Sequence, residues 1–345
     1  MANIEIKKDS GLIRVMAEQA AHKTVSYDDA KQAHDIIAEL SKDNSPENRH
    51  KLAQVVAYTV EKMQEPALDF LGTMADIKNV GYGDKVMFNI KTDGIKAFYQ
   101  AKGATTARSY ISEKQFTMGT EAISARPAIN VIDLWTGRVN MADLIAQANR
   151  EITYAKLSKV EQVLVANMQT YASPFYASGL TKANLDAMLA YFNRIGPVTL
   201  LGDRAAVQQI AGLIGWSPLT PVVTANPVVS DELINEYNDT GLIGKYLGNS
   251  VVVMPNGYRD QSTTPILDAT NIYIIPGGIA ADQRNLKIVN EGPVQSFESQ
   301  NIDDLTFEIR LEQWFGVGFI SGGNKTVGGV TYNTGRNPNM GLLEI

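Results

Sequence analysis

One apolar pattern constrains the fold of this chain more than any other feature of its sequence. Its members recur at steps of three and four: Met141, Ile145, Ala148, Ile152, Ala155, Leu157, Val160, Leu164, Met168 and Tyr171. The spacing predicts one helix over 141–171, stopped by Ser173-Pro174. At 1.5 Å per residue this helix would be roughly 46 Å long, beyond the common globular range. Charged residues such as Lys156 and Glu161 interrupt it, so we do not expect it to span a bilayer.

The residues before this helix predict two further kinds of structure. Residues 1–66 contain short amphipathic helices, one capped by Ser26 and one beginning at Ser45-Pro46 and ending at Glu65-Pro66. Their outer faces are charged, so we expect a helical arm that packs on a larger body. A connector over 67–83 follows.

Residues 84–120 predict a long two-stranded arm that projects from its own domain. Strands are expected at Val86–Ile90 and Phe116–Met118, and a third strand follows at Ala128–Leu134. The segment between the first two strands is small, polar and basic, with few residues that could hold a core. A connection of this length is usually functional or disordered.

The second half of the chain predicts an α/β domain and a return to strand. Over 180–285, helices are expected at 181–194, 204–214 and 231–237. They alternate with strands at 197–202, 250–255 and 271–276, and the last two are apolar runs typical of strands buried on both faces. Over 286–320 the chain returns to strand, with apolar and charged residues alternating from Leu305 to Glu312. The Gly-rich tail 321–345 predicts no structure, although 341–345 could dock. The fold class is therefore α+β.

Composition and motifs argue against catalysis. The 345-residue chain carries a net charge of −6, contains no cysteine, and has its three histidines within the first fifty residues. Asp239-Thr240-Gly241 matches the aspartic-protease triplet, but it follows a predicted helix, and Gly241 suits the left-handed residue that closes such a helix. No metal, cofactor or catalytic residue is predicted, which favours a structural protein. An α/β enzyme using carboxylates of 180–285 is the alternative from another class.

The chain also starts without a signal-like apolar region and has no apolar run long enough to cross a membrane. We therefore expect it to fold in a cytoplasm-like compartment, without a membrane partner.

Charge is distributed unevenly between two segments. The arm is basic, and its candidate contact residues are Lys91, Lys96, Lys102 and Arg108. The late strand region is acidic, and its candidate docking residues are Asp303, Asp304, Glu308 and Glu312. Two solvated faces would explain this pattern, but a projecting arm has to rest on something. We therefore expect head-to-tail association of identical copies.

Three stretches, taken in order, resemble the major capsid proteins of tailed bacteriophages with the Hong-Kong-97-type fold. They are Asn130–Leu134 leading to Met141, Gly241–Val253, and Thr306–Phe319. The resemblance extends over roughly residues 60–320. It implies a set of named parts: an N-arm (1–66), an E-loop (84–120), a P-domain (121–179) with the spine helix 141–171, an A-domain (180–285) with a turn at Gly241, Gly244 and Gly248, P-domain return strands (286–320) and a C-terminal tail (321–345).

The same resemblance implies a function and partners. It implies pentamers and hexamers of an icosahedral virion capsid around double-stranded DNA, which would be contacted non-specifically, with assembly in the host bacterial cytoplasm. A scaffolding protein, a portal and a decoration protein are the implied partners. No Lys–Asn crosslink is expected, because no matching trio of residues can be placed. A shell protein of the encapsulin type, which resembles the same fold, is the runner-up.

Overall fold

The fold is described from a computed structural model. It describes residues 6–8, 10–21, 23–42, 45–67, 71–92, 112–130, 132–133, 141–213, 239–254, 256–258, 262–301, 306–320, 324–327, 330–333 and 338–345. The helices are α1 Gly11–Ala20, α2 Tyr27–Lys42, α3 Pro46–Ala67, α4 Leu71–Met74, α5 Met141–Met168, α6 Lys182–Phe192 and α7 Arg204–Leu213. The strands are β1 Ala75–Val80, β2 Met87–Thr92, β3 Ser112–Thr117, β4 Glu121–Ala125, β5 Ala128–Asn130, β6 Tyr176–Ser178, β7 Val198–Gly202, β8 Lys245–Tyr246, β9 Asn249–Val253, β10 Asn271–Pro276, β11 Leu286–Asn301, β12 Thr306–Phe319, β13 Asn324–Val327, β14 Val330–Asn333 and β15 Gly341–Glu344.

The long helix predicted from the apolar spacing is confirmed as α5, which ends at Met168, three residues before the predicted end. At 1.5 Å per residue it is about 42 Å long. Its first half, with Ile145 and Ile152, belongs to one hydrophobic core. Its second half, with Leu164 and Met168, belongs to another. The helix therefore runs through both cores, as strands β11 and β12 also do.

The first core lies between α5, the N-terminal helices and a sheet of order β1-β11-β12-β4, with β5 pairing β12. The alternation predicted in the late strand is confirmed: Phe307, Ile309 and Leu311 of β12 are buried, whereas Arg310 is exposed. Strand β11 pairs antiparallel with β12 and parallel with β1. The register between β11 and β12 shifts between Glu291 and Gln295, which marks a bulge.

The N-terminal helices pack on this chain's own body. Ile13 of α1 and Val56 of α3 are fully buried in the core that α5 shares. Both predicted caps form, since Ser26 accepts a hydrogen bond from Asp29 N at 3.2 Å and Ser45 accepts one from Asn48 N at 3.4 Å. The predicted end of α3 at Glu65-Pro66 is wrong, because the helix continues to Ala67. A proline in the last turn removes only one backbone hydrogen bond, and a helix end tolerates that loss.

The α/β region forms a second sheet of order β6-β15-β10-β7-β9-β8. Helices α6 and α7 cover one face of it with Leu185, Phe192 and Ile210. The other face meets the second half of α5. The docking expected for 341–345 is confirmed, since β15 lies inside this sheet, antiparallel to β10 and parallel to β6.

The two apolar strands of this sheet differ in burial. Strand β10 is buried on both faces, as predicted, because Ile272 and Ile274 pack in the core formed with α6 and α7, and Tyr273 packs in the core formed with α5. The same prediction is wrong for β9, where Val252 is 44% exposed. Strand β9 pairs with the two-residue edge strand β8 on one side and with β7 on the other, and among the described residues its Ser250 and Val252 side chains are exposed.

Two other predictions differ from the structure or lie outside it, and one hairpin was not predicted. The helix expected at 231–237 lies outside the described residues. The third strand predicted at 128–134 is the shorter β5, ending at Asn130. The β13–β14 hairpin in the tail was not predicted.

Candidate inter-subunit surfaces

The two strands expected at the base of the arm are present and paired. Strands β2 and β3 run antiparallel, with Met87 opposite Thr117 and Thr92 opposite Ser112. Lys91 is in β2, opposite Glu113 of β3. The other three predicted contact residues of the arm, Lys96, Lys102 and Arg108, lie outside the described residues.

The root of the arm is inserted into the body through an aromatic side chain. Phe88 is 1% exposed and packs on Phe116 of the opposite strand, with the ring centroids 5.6 Å apart. The ammonium groups of Lys78 and Lys287 lie 4.5 Å and 5.4 Å from the centroid of the Phe88 ring. Both distances suit cation–π attraction, which is stronger where water is excluded.

Lys287 also forms a buried ion pair with Asp76 at the root of the arm. Its Nζ lies 2.8 Å from Asp76 Oδ2 and donates a further hydrogen bond to the carbonyl of Asp282 at 2.8 Å. Burial lowers the pKa of Lys287, and the carboxylate of Asp76 acts in the opposite direction. The pair also ties β1 to β11, so the arm is rooted where these strands meet.

The two legs of the arm are the segments that lead into β2 (82–83) and out of β3 (118–120). Three glycines of β11 and β12 leave room for these legs, and we call them the glycine seat: Gly292, Gly316 and Gly318. A Cβ at Gly316 would lie 2.7 Å from the carbonyl oxygen of Gly119, and one at Gly318 would lie 2.6 Å from the sulfur of Met118. A Cβ at Gly292 would collide with the ring of Tyr82. Because a Cβ atom cannot approach a backbone oxygen or a packed ring this closely, the contact of the legs with the sheet requires glycine at Gly316 and Gly292, whereas the flexible Met118 side chain could move away from a Cβ at Gly318.

Two of the four predicted acidic docking residues are described, and both have partners within the chain. Glu308 pairs with Arg126, whose Nε lies 3.0 Å from Oε2. Glu312 pairs with Arg310 at 2.7 Å and accepts a hydrogen bond from Trp314 Nε1 at 3.0 Å. Asp303 and Asp304 lie outside the described residues. The part of the acidic surface that the structure describes is therefore charge-balanced.

This surface also presents an aromatic side chain that charge patterning did not reveal. Phe297 of β11 is 52% exposed and lies opposite Arg310 of β12. A single exposed apolar side chain is common on protein surfaces, so the exposure of Phe297 alone does not identify a contact position. The alternation of β11 could have indicated it, since Phe297 is on the same face as the charged residues of β12.

The glycines predicted to form the A-domain turn have different roles. Gly241 and Gly248 have positive φ angles of 72° and 81°, as left-handed turn residues do. Gly244 supplies a carbonyl that accepts a hydrogen bond from Val251 N at 2.9 Å.

The hairpin at this turn exposes an unexpected residue. Leu247 and Gly248 connect β8 to β9, and both have positive φ, which defines a type I′ turn. Leu247 has a φ of 48° and is 66% exposed. A leucine is therefore held in a strained backbone region with its side chain in solvent.

Two charged side chains of α5 make hydrogen bonds to the sheets, Lys156 from a buried position and Glu161 from a half-buried one. Lys156 is 1% exposed, donates to Gln313 Oε1 at 2.6 Å, and has its pKa lowered by burial to about 8. Glu161 accepts hydrogen bonds from Asp268 N at 3.0 Å and from Tyr273 at 2.9 Å. Burial raises the pKa of Glu161. These residues attach the helix to both sheets.

Within the part of the chain that the structure describes, no three His, Cys, Asp or Glu side chains converge as metal ligands would. None of the described helices is both long and apolar enough for a bilayer crossing.

Comparison with known proteins defines the class. A sequence profile of the family described as "SPbeta prophage-derived putative capsid protein YonB" matches residues 3–331. The class is that of phage capsid proteins, the structural subunits of a virion shell. The chain belongs to the YonB family. No curated protein matches it.

Several solved shell structures are similar at low sequence identity. The virus-like particle of Pyrococcus furiosus matches with a TM-score of 0.45 and 11% identity, covering 86% of this chain and 98% of that chain. The mature capsid of bacteriophage PhiM1 matches with a TM-score of 0.46 and 10% identity, covering 79% and 85%. Mycobacterium phage Che8 matches with a TM-score of 0.44 and 12% identity, covering 80% and 87%.

Proposed function

We propose that this protein is a major capsid protein that assembles into pentamers and hexamers of an icosahedral shell around double-stranded DNA. One observation carries the proposal: the family of capsid proteins is matched over residues 3–331. The role is structural rather than enzymatic. The chain assembles in the host bacterial cytoplasm with a scaffolding protein, a portal and a decoration protein, and it contacts the packaged DNA non-specifically.

In this proposal each part of the chain has a task in the shell. Helix α5 and the β11–β12 pair form a rigid plate, because they share a continuous core. The A-domain, with the turn at Gly241, Gly244 and Gly248, gathers copies around local symmetry axes. The arm lies over the P-domain of an adjacent copy.

The contact of the arm with its neighbour cannot rest on ion pairs alone. Surface ion pairs contribute only about 0–1 kcal/mol each. Glu308 and Glu312 already pair with Arg126 and Arg310. We therefore assign charge a role in encounter and register, with Asp303 and Asp304 as the carboxylates proposed to meet the arm. Phe297 supplies apolar area for the contact.

Light scattering of the purified protein, followed by negative-stain microscopy, tests the proposal. Hollow megadalton particles or capsomer-sized rings are expected, alone or after addition of a scaffolding protein. A small discrete oligomer that binds a small molecule saturably, under both conditions, would contradict it. Nucleic acid inside purified particles would separate a DNA container from a protein-cargo compartment of the encapsulin type.

A charge-reversal variant tests the arm contact. Lys91→Glu, Lys96→Glu and Lys102→Glu together should leave the subunit folded and block assembly. The matched control reverses Lys182, an exposed lysine on α6 that pairs with Asp186 within its own helix. Normal shells from the triple variant would remove the arm from the proposal.

A further inference from the structure

We propose that Glu291 is a positioning residue that fixes the direction in which the two-stranded arm leaves the body. The inference rests on the proposed function, since the direction of the arm matters for assembly only if the arm reaches a neighbouring copy. The position of Glu291 within one subunit carries the argument.

One carboxylate of β11 holds both legs of the arm. Glu291 Oε1 accepts a hydrogen bond from the backbone N–H of Gly83 at 2.8 Å. Glu291 Oε2 accepts one from the hydroxyl of Thr120. Gly83 precedes β2, and Thr120 follows β3, so the two oxygens bind the chain on either side of the β2–β3 pair. The legs are thus cross-linked at their base by a third segment of the chain.

The carboxylate is in a place where an acid is costly. Glu291 is 7% exposed, and the ion pairs among the described residues do not include it. A buried carboxylate destabilises a fold unless hydrogen bonds compensate for its lost hydration. Here the two compensating donors flank the β2–β3 pair, Gly83 just before the arm and Thr120 at its end, so the favourable state of the acid is the one in which both legs are in place.

The backbone next to Glu291 also helps to hold the first leg of the arm. The register of β11 against β12 shifts directly after Glu291, and Gly292 in this bulge has a φ of 72°. The ring of Tyr82 lies across Gly292, and its hydroxyl donates to the carbonyl of Pro293. The same ring meets Trp314 edge-on, with centroids 5.3 Å apart. Bulges commonly re-aim side chains in this way.

The second leg is restrained over several residues. Gly119 and Met118 lie against Gly316 and Gly318 of the glycine seat, immediately before and beside the Thr120 contact. Glu291 is therefore the point where restraints on the two legs meet. Its loss should leave the core of the body intact and widen the range of directions that the arm samples.

The absence of cysteine from the sequence allows a direct measurement. Gln115→Cys on β3 and Ala155→Cys on α5 place two exposed labelling sites, one on the arm and one on the body. Nitroxide labels at both positions report the arm-to-body distance distribution by pulsed electron paramagnetic resonance on the unassembled subunit. We expect a single narrow peak in the parent and its loss in Glu291→Ala.

Two further variants separate positioning from general stability. Glu291→Gln should restore the narrow peak, because its carbonyl oxygen can accept from Gly83 while its amide donates to the Thr120 hydroxyl. Glu298→Ala removes another acid of β11, one that lies 3.5 Å from His50 rather than at the arm, and should leave the distribution unchanged. If Glu291→Ala does not fold, Thr120→Val removes one of the two contacts and carries the test.

The outcomes are distinct. An unchanged distribution in Glu291→Ala, a broad one in the parent, or equal broadening in Glu298→Ala would each overturn the proposal. Because the measurement uses single subunits, a clear response combined with no particles in the assembly experiment, alone or after addition of a scaffolding protein, would uphold the positioning role and contradict the shell function.

Discussion

The ring of Tyr82 lies so close across Gly292 that no side chain can replace the glycine's hydrogen without displacing the ring. Gly292 also has a φ of 72°, a backbone conformation that L side chains rarely adopt. Two independent constraints, one of space and one of conformation, therefore require glycine at the bulge that receives the arm.

Gly292→Ala should destabilise the subunit by at least about 2 kcal/mol, because it adds a collision to a strained backbone. Chemical denaturation monitored by tryptophan fluorescence measures this loss. Gly212→Ala is the control, since Gly212 is in α7 with no atom near its would-be Cβ. This control should gain up to about 1 kcal/mol from better helix propensity. Equal behaviour of the two variants would contradict the seat as described.

Leu343→Ala should cost about 2–5 kcal/mol, as other truncations of fully buried leucines do. Leu343 is 0% exposed in β15, between β10 and β6 of the second sheet. Val252→Ala in β9, where the side chain is 44% exposed, is the matched control and should cost much less. Denaturant midpoints of the two variants provide the comparison, and similar losses would argue against β15 as an integral strand.

Lys156→Met should flatten the pH dependence of stability above pH 8. Burial lowers the pKa of Lys156 in the folded chain from 10.5 to about 8. Between these values the unfolded chain holds a proton that the folded chain has released, so the free energy of unfolding rises with pH. Below pH 8 both states are protonated and this rise is absent.

Denaturation at neutral pH and near pH 10 measures this difference between parent and variant. Tyrosines such as Tyr246, whose pKa is raised from 10.0 to about 12, begin to ionise in the unfolded chain near pH 10 and change stability in the opposite direction. Parent and variant share this tyrosine effect, so the difference between them reports Lys156. Lys159→Met is the control, because its side chain is 41% exposed on the same helix. A rise that persists undiminished in Lys156→Met would refute the assignment.

Leu247→Asn should stabilise the isolated subunit by about 1 kcal/mol. Asparagine adopts left-handed backbone conformations more readily than leucine and is favoured in type I′ turns. Ile195→Asn replaces another exposed apolar residue, one outside the positive-φ set, and should bring no such gain. Thermal unfolding compares the two.

We also expect Leu247→Asn to lower particle yield, because an exposed leucine kept at a strained position suggests a contact between copies.

The elements predicted best from the sequence are those whose burial is set by local periodicity. The apolar spacing of α5 and the alternation of β12 each reflect one side of the element packing against a core. Both strands at the base of the arm were predicted from residue composition. Strand β1 was missed because the alternation of apolar and polar residues in Ala75–Val80 lasts for only four residues, too short to stand out. Its partner β11 lies 211 residues further along the chain, beyond any local signal.

The candidate site was predictable only in outline. Charge patterning identified Glu308 and Glu312, but it could not show that Arg126 and Arg310 already pair with them. Glu291 was visible as one acid among several, whereas its contacts with Gly83 and Thr120 depend on a bulge and on long-range pairing. The sequence Gly316-Val317-Gly318 is a local pattern that indicates part of the glycine seat. Its role depends on Gly119 and Met118, which pack against it and are distant in sequence.

The distance along the chain between Glu291 and the legs it holds affects when their contacts can form during synthesis and folding. Gly83 and Thr120 precede it by 208 and 171 residues, so both legs emerge from the ribosome long before the acid that joins them. Contacts between such distant residues form late, because a long loop must close first. If Glu291 has the proposed positioning role, only a chain synthesised past Glu291 can hold both legs of the arm in place. Sequence separation would in this way delay association until the body that receives a neighbour has been made.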